Sequence, residues 1–354
     1  MPRVRSETKH FQAELRLREW INTLTPGDVL PVVSDLTVRF NSSHGTIIRA
    51  LTALADEGLI VRPLGKKRYL IAERFERISA RICILRPDYP SHELYSMERS
   101  IYKAGQKRNW TFTPHCFRNI SDLDLSRIMA KADALVFIPT AEIISRELIQ
   151  GLLKPTRPVV VLLQHLKHPM INNVCIDDFR IGELAAKTLY DRGHRRILFL
   201  KTEPDETTMQ ERFRGFRSVA EQLGIPTGNE LYLDTHLKAF EDSMDASYRA
   251  LSARLDRGKP DFSAIFAPSF SGVLASYRAL REHHLKVPED IAVLAYSGES
   301  NLAPYLTPPP SSLEINTDEF GEYTVKLLEN ALSGNREKAQ QLTLMPKLVI
   351  RSSI

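Results

Sequence analysis

Asn41-Ser-Ser-His-Gly-Thr-Ile-Ile-Arg-Ala-Leu-Thr-Ala-Leu-Ala-Asp-Glu-Gly-Leu-Ile-Val-Arg62 decides how the N-terminal part of the chain is read. Ile47, Leu51 and Leu54 recur at helical spacing and define one apolar face. Ser43 stands where an N-cap belongs, its side-chain oxygen able to accept a free N–H of the first turn. His44, Thr46 and Arg49 fall near the helix start, off that face. Gly58 predicts the stop, because glycine takes the left-handed C-terminal conformation at little cost. Leu59-Ile-Val-Arg62 reads as a strand, Pro63-Leu-Gly-Lys-Lys-Arg68 as a basic turn, and Tyr69-Leu-Ile71 as the returning strand.

Upstream, Thr8 to Leu24 predicts an amphipathic helix with Phe11, Leu15, Leu17, Trp20, Ile21 and Leu24 apolar. Thr25-Pro-Gly-Asp28 breaks it. Val29-Leu-Pro31 is a short extended entry, Ser34 to Phe40 a short helix, and Asn41-Ser42 the next turn. Helix, turn, helix, turn, helix, hairpin is the shape of a winged helix that reads DNA. Charge points the same way. Residues 1–72 hold 11 Lys/Arg against 7 Asp/Glu, whereas the whole 354-residue chain carries only +5. That placement suits a piece that meets a polyanion; the competing reading is a mildly basic solvated face.

This stretch resembles the GntR (gluconate-repressor) type of winged helix. The matching residues are Pro26-Gly-Asp28 with Leu30-Pro31, then Ser43, Thr46, Ala50-Leu51, Leu54, Glu57-Gly-Leu-Ile60, and Gly65 with Tyr69. It also departs from that pattern. Val32-Val33 replaces the family's Ser-Glu, His44 and Ile48 stand where Arg is usual, and Lys67 replaces the second wing glycine. The resemblance implies DNA contacts by Arg39, Ser43, His44, Gly45, Thr46, Arg49, Lys66, Lys67, Arg68 and Tyr69. Helix 44–57 would enter the major groove with His44 and Thr46 reading bases and Arg49 on a base or a phosphate. Arg39, Lys66, Lys67 and Arg68 would mainly hold phosphates, unless Arg68 or Lys67 at the wing tip enters a narrow minor groove.

Residues 73–80 are charged and aperiodic and read as a linker. From Arg81 onward short apolar runs alternate with longer amphipathic ones. The strand candidates are Ile82–Leu85, Ala134–Ile138, Val159–Leu163, Ile197–Leu200, Ala264–Ala267 and Ile291–Ala295. Helix candidates are Leu94–Lys107, Ile181–Arg192, Gln210–Gln222, Asp242–Asp256, Gly272–His284 and Thr317–Leu332. Alternating strand and helix predicts parallel sheets with right-handed crossovers. The length of 81–354 fits two lobes, with ligands at the carboxyl ends of the strands.

This half resembles the effector domain of the LacI/GalR repressors, a periplasmic-binding-protein-like fold. The match runs through Asp177-Asp-Phe-Arg-Ile-Gly182, Leu184-Ala-Ala-Lys-Thr-Leu189, Arg192-Gly-His-Arg-Arg-Ile197, Arg212-Phe-Arg-Gly-Phe216 and Leu223-Gly-Ile225. It continues through Ala264-Ile-Phe-Ala267, Leu285-Lys-Val-Pro-Glu-Asp-Ile-Ala-Val293, Tyr305-Leu-Thr-Pro-Pro309 and Pro346-Lys-Leu-Val-Ile-Arg351. The expected chain is therefore α/β. A winged helix-turn-helix (1–72) and linker (73–80) precede a two-lobed domain (81–354). Lobe one spans about 81–176 and 306–338, lobe two about 177–305 and 339–354.

The resemblance places an effector pocket between the lobes. Arg212 matches the family arginine that hydrogen-bonds ligand, its rigid fork of donors suiting a hydroxyl pair or a carboxylate. Of Asp177 and Asp178, one accepts from a ligand hydroxyl or one caps the following helix. Ser91, His92 and Glu93 face the cleft, or Ser91 caps its helix. Thr140, Gln164 and Glu203 sit just past strand ends. Sugar-binding members carry Asn-Asp where Ser269-Phe270 stands and an Asp near Tyr296-Ser297-Gly298, so two carboxylates suited to sugar hydroxyls are missing. Phe270 is apolar and suited to stacking on a ring, which leaves open a sugar held differently, a less polar ligand, or no particular effector.

Cys83, Cys116 and Cys175 are far apart and show no metal-ligand spacing, which suits a reducing cytoplasm. The N-terminus has no apolar run resembling a signal peptide, and no run is long enough to span a bilayer. His283-His284, His165 and His168 read as ordinary surface histidines. No nucleophile elbow, HExxH or GxGxxG is present, so neither enzyme activity nor a cofactor is expected. The expectation is a sequence-specific regulator of transcription, most simply a repressor. It would bind a pseudo-palindromic operator as a homodimer and respond to a sugar or related metabolite. An activator of the same architecture is the alternative, then a cytoplasmic binding protein without a DNA role.

Overall fold

The computed structural model describes residues 9–21, 23–56, 59–62, 68–72, 80–88, 91–106, 108, 110–139, 146–153, 155, 157–164, 171–204, 207–238, 240–297, 302–333 and 339–354. The chain divides into two units, 1–77 and 78–354. Residues 73–79 of the expected linker lie outside the described residues. Ala80 does not belong to a linker: it is buried, and its carbonyl accepts the Thr111 N–H at 2.9 Å.

The first unit contains α1 (Lys9–Ile21), α2 (Val33–Arg39), α3 (His44–Asp56), β1 (Ile60–Val61) and β2 (Leu70–Ile71). Helical periodicity brings Leu17 and Ile21 of α1, Leu36 of α2, and Ile47, Leu51 and Leu54 of α3 into one apolar cluster. Each such side chain contributes roughly 1.5–3 kcal/mol on burial. α1 ends at Ile21, short of Leu24, because Thr23 and Leu24 turn back to the Trp20 and Ile21 carbonyls. The Asp28 carboxylate then accepts both the Thr25 N–H and hydroxyl at 2.8 Å, closing the Thr25–Asp28 breaker. β1 and β2 pair antiparallel, with Ile60 opposite Ile71, and Val29 bridges to Leu70 as a third extended element. Gly58 and the wing turn, with Gly65, Lys66 and Lys67, lie outside the described residues.

The second unit holds two six-stranded sheets. The first sheet has the order β13-β7-β6-β5-β3-β4. These strands are β3 (Arg81–Pro87), β4 (Thr111–Phe117), β5 (Ala134–Phe137), β6 (Val159–Leu162), β7 (Asn172–Ile176) and β13 (Gln341–Leu344), all parallel. The second sheet has the order β14-β12-β11-β10-β8-β9. Its members are β8 (Ile197–Lys201), β9 (Tyr232–Asp234), β10 (Ala264–Ala267), β11 (Ala292–Ser297), β12 (Ser311–Glu314) and β14 (Lys347–Val349). Of these only β14 runs antiparallel. The helices are α4 (His92–Gln106), α5 (Leu125–Met129), α6 (Arg146–Leu153), α7 (Asp178–Asp191), α8 (Thr207–Gln222), α9 (Ser243–Leu255), α10 (Phe270–Glu282) and α11 (Thr317–Leu332). The central strands are buried on both faces, which is why they read as continuous apolar runs.

The expected lobe boundaries need correcting in two places. Ser311–Glu314, assigned to the first lobe, pairs with β11 in the second sheet, and Gln341–Leu344, assigned to the second, pairs with β7 in the first. The chain therefore changes sheets after β7, after β12 and after β13. β4, β7, β9, β12, β13 and β14 were not foreseen as strands, nor α5 and α6 as helices. β4 alternates polar residues along an exposed edge, while β12 is Ser-Ser-Leu-Glu, buried despite its polarity.

Candidate functional site

The surface of α3 is built from its N-cap. Ser43 Oγ accepts the Thr46 N–H at 3.3 Å and shares a 2.8 Å hydrogen bond with the Thr46 hydroxyl. The cap thus engages the Thr46 hydroxyl, expected to read a base, and Thr46 is half-buried. With Ile47 and Leu51 turned inward, Ser43, His44, Gly45 and Arg49 are left exposed. Ile48 joins them at 41% exposure, an apolar side chain on an otherwise polar surface. Arg39 is exposed, its guanidinium 4.4 Å from the Trp20 ring centroid. Arg68 is exposed; Tyr69 is half-buried, with its carbonyl accepting the Leu30 N–H.

The second unit has a cleft where the carboxyl ends of both sheets meet. Ser91, Glu93 and Leu94 enter from the β3–α4 connection and the first turn of α4, Ile138 and Pro139 from just past β5, and Leu163 and Gln164 from just past β6. Asp178 comes from the start of α7, Glu203 from beyond β8, and Thr207, Thr208, Met209 and Arg212 from α8. Ser269, Phe270 and Ser271 start α10, and Tyr296 ends β11. The turn after β6 is pinned by Asn173, whose buried amide donates to the Val161 and Gln164 carbonyls at 3.0 and 2.8 Å. Leu163 within that turn takes a left-handed backbone (φ 66°), a conformation costly for a non-glycine residue.

Arg212 organises the cleft. Its Nε donates to Asp178 Oδ1 at 2.8 Å and its NH1 to the Pro268 carbonyl at 2.7 Å. Its NH2 lies 3.9 Å from Glu93 Oε1, and its guanidinium stacks 4.0 Å over the Tyr296 ring. Tyr296 donates its hydroxyl to the same Glu93 oxygen at 2.6 Å, joining second lobe to first. Burial works against the Arg212 charge, but Asp178, Tyr296 and Glu93 outweigh it and hold the guanidinium above its ordinary range. Burial, then the Glu93 charge, pushes the Tyr296 phenol well above its own, so it remains a donor.

Two glycines make the Arg212–Asp178 bond possible. A Cβ on Gly182 would strike the Arg212 carbonyl, and one on Gly215 would strike the Phe179 carbonyl. Only with both side chains absent do α7 and α8 pack backbone to backbone. Asp177 does not face the cleft: its Oδ1 accepts the Arg180 N–H at 2.9 Å and caps α7. The pair of aspartates thus divides into a cap and a partner for arginine.

Ser91 lines the cleft and also caps α4, accepting the Leu94 N–H at 3.3 Å. Ser269 caps α10 through Gly272 and bonds Thr202 at 2.7 Å. Ser297 is buried in β11 opposite Glu314 and does not line the cleft. The His92 side chain, Thr140, His165, His168 and Gly298 lie outside the described residues. His283 bonds Asp256 at 2.9 Å and the Ala279 carbonyl at 2.8 Å. Sequence reasoning missed Tyr296 as a cleft residue; it read the position only as lacking a carboxylate. It also missed Thr207, Thr208 and Met209, which precede the arginine by about one helical turn.

Residues 10–66 match the gntR family of bacterial regulatory proteins, and residues 186–354 match the periplasmic binding protein-like domain. The chain is 31% identical over 183 residues to the HTH-type transcriptional regulator CelR of Thermobifida fusca, covering 52% of each protein. It is 33% identical over 174 residues to the ribose operon repressor of Escherichia coli, covering 49% of this chain and 50% of the repressor. The matched region thus spans about half the length of these curated relatives. Among solved structures, an Enterococcus faecium LacI family regulator with bound ribose superposes with TM-score 0.67 at 23% identity, covering 77% of this chain and 98% of that one. A CelR–cellobiose complex superposes with TM-score 0.64 at 22% identity, covering 92% and 100%. The chain therefore joins a helix-turn-helix domain of the gntR type to a periplasmic-binding-protein-like domain of the fold found in LacI family regulators.

Proposed function

We propose that the chain is a sequence-specific, DNA-binding regulator of transcription whose operator affinity is set by a sugar or related small molecule held between its lobes. The observation that carries this reading is the pairing of two devices in one polypeptide. One is a capped helix with His44, Gly45, Ile48 and Arg49 exposed on it. The other is a two-lobed cleft centred on a buried arginine. The curated relatives that this chain resembles are named as a transcriptional regulator and a ribose operon repressor, and the similar CelR and Enterococcus regulator structures hold cellobiose and ribose.

In this reading α3 lies in the major groove, with His44 and Arg49 reaching base edges and Ile48 packing on thymine methyl groups. Arg39, Arg68 and the wing lysines Lys66 and Lys67 neutralise phosphates. Two copies of the chain bind a pseudo-palindromic site. The ligand stabilises one lobe arrangement, and by linkage DNA and ligand alter each other's affinity equally. Repression is the simplest output. No helix among the described residues is long and apolar enough to cross a membrane.

Selection of bound fragments from the source genome by the purified full chain tests the reading. A recurrent two-fold-symmetric sequence is expected, with affinity falling steeply as salt rises. Lys66→Ala/Lys67→Ala should reduce the log–log salt slope by roughly 2. Binding that is indifferent to sequence would remove the operator, and an unchanged slope would remove the wing from the interface.

A further inference from the structure

Arg212 is the cation that the described cleft residues offer, and its donors are already directed. One meets Asp178, one meets a backbone carbonyl, and a third points toward Glu93 at 3.9 Å. Glu93 itself is not adrift. Tyr296 holds its carboxylate at 2.6 Å, from the opposite lobe and with a phenol kept protonated by burial. Glu203 adds a third carboxylate to the lining. An incoming phosphate or carboxylate that reached the guanidinium would lie beside Glu93, 3.9 Å from it, and like charges placed together in a desolvated site cost several kcal/mol. A hydroxyl-rich neutral ligand meets the opposite situation: carboxylate oxygens accept its hydroxyls, while Leu94, Met209 and Phe270 offer apolar surface to a ring face.

We propose that Glu93, held over Arg212 by Tyr296, is a specificity-determining residue that makes the cleft accept uncharged hydroxyl-rich ring compounds and turn away their phosphorylated and carboxylated counterparts. This rests on the preceding reading that the cleft binds a sugar-like effector. It reverses one expectation from sequence, in which the Arg212 fork was as well suited to a carboxylate as to a hydroxyl pair.

The test is calorimetric titration of the full chain with ligands matched by skeleton. Ribose is compared with ribose 5-phosphate, glucose with glucose 6-phosphate and glucuronate, and cellobiose with cellobionate. At least one neutral member should bind, with its charged counterparts weaker by roughly tenfold or more. Glu93→Gln keeps an acceptor in place and removes the charge, so the neutral-to-charged preference should shrink by a similar factor. Tyr296→Phe, which releases Glu93 without altering the charge, should narrow the preference less. A charged member binding as well as its neutral counterpart to the unaltered chain overturns the proposal while leaving the cleft as an effector site. A preference unmoved by Glu93→Gln takes the role away from this residue. If no compound binds, the sugar-effector reading fails and this proposal with it.

Discussion

Arg212 and Asp178 form a buried pair whose value lies in position more than in stability. Both are almost wholly removed from solvent, with side chains 5% and 1% exposed. Removing one partner leaves a charge without its counterpart in a poorly solvated place, which typically costs 3–5 kcal/mol. Asp178→Ala should therefore lower the unfolding free energy of the chain by about that amount in urea titration. A loss below about 1 kcal/mol would mean that Glu93 or the cleft's own solvent replaces it. Ile48 gives the contrasting case. It is already exposed, so Ile48→Ala should change stability by less than about 0.5 kcal/mol. On the reading of α3 as the base-contacting helix, the same variant should weaken operator binding by roughly 1 kcal/mol or more in gel-shift titration.

Between elements, the decisive contact is that of α7 with α8. Gly182→Ala places a methyl against the Arg212 carbonyl, so the helices must separate. Thermal unfolding should fall, and effector binding should weaken with it, because Arg212 moves away from Asp178. Gly45 of α3 faces open space and has ordinary helical backbone. There Gly45→Ala should raise stability by about 0.5–1 kcal/mol through lost freedom of the unfolded chain. At the end of α10, the hydrogen bond to Asp256, then that to the Ala279 carbonyl, raises the His283 pKa above its ordinary value. A raised folded-state pKa favours the protonated form. Its contribution is complete below the unfolded histidine value and is lost as pH rises through the folded one. The stability difference between the unaltered chain and His283→Gln should therefore shrink from about pH 6 to about pH 8. A difference that widened over that range would reverse the assignment.

At the scale of the whole molecule, the second unit is two sheets joined by three chain crossings, and among the described residues Glu93 of one lobe meets Tyr296 at 2.6 Å and Arg212 at 3.9 Å from the other, across the cleft. Such a joint permits hinge motion, and a ligand that touches both lobes shifts the population toward closure by its differential affinity. Small-angle scattering of the full chain should show Tyr296→Phe shifted toward a larger radius of gyration without ligand. Saturation with a bound neutral sugar should bring the variant and the unaltered chain together. Identical radii in all states would place the coupling elsewhere.

The sequence by itself determined the division into a winged helix and a parallel α/β part. It also determined the capped helix α3, the buried central strands and the placing of Arg212 among the cleft residues. These are local matters: apolar period separates helix from strand, serine caps, and a central parallel strand announces itself as an unbroken apolar run. What only the tertiary structure decided were properties of pairing and approach. β12 and β13 exchange sheets because hydrogen-bond partners, not composition, place a short polar strand. Asp177 and Asp178 are adjacent and chemically alike, yet one caps a helix and the other holds an arginine from α8. Tyr296 looked like a missing carboxylate until the fold brought Glu93 from 203 residues away to its hydroxyl. Periodicity reports which face of an element is buried, whereas contacts between distant side chains depend on how two lobes close, and no local pattern encodes that.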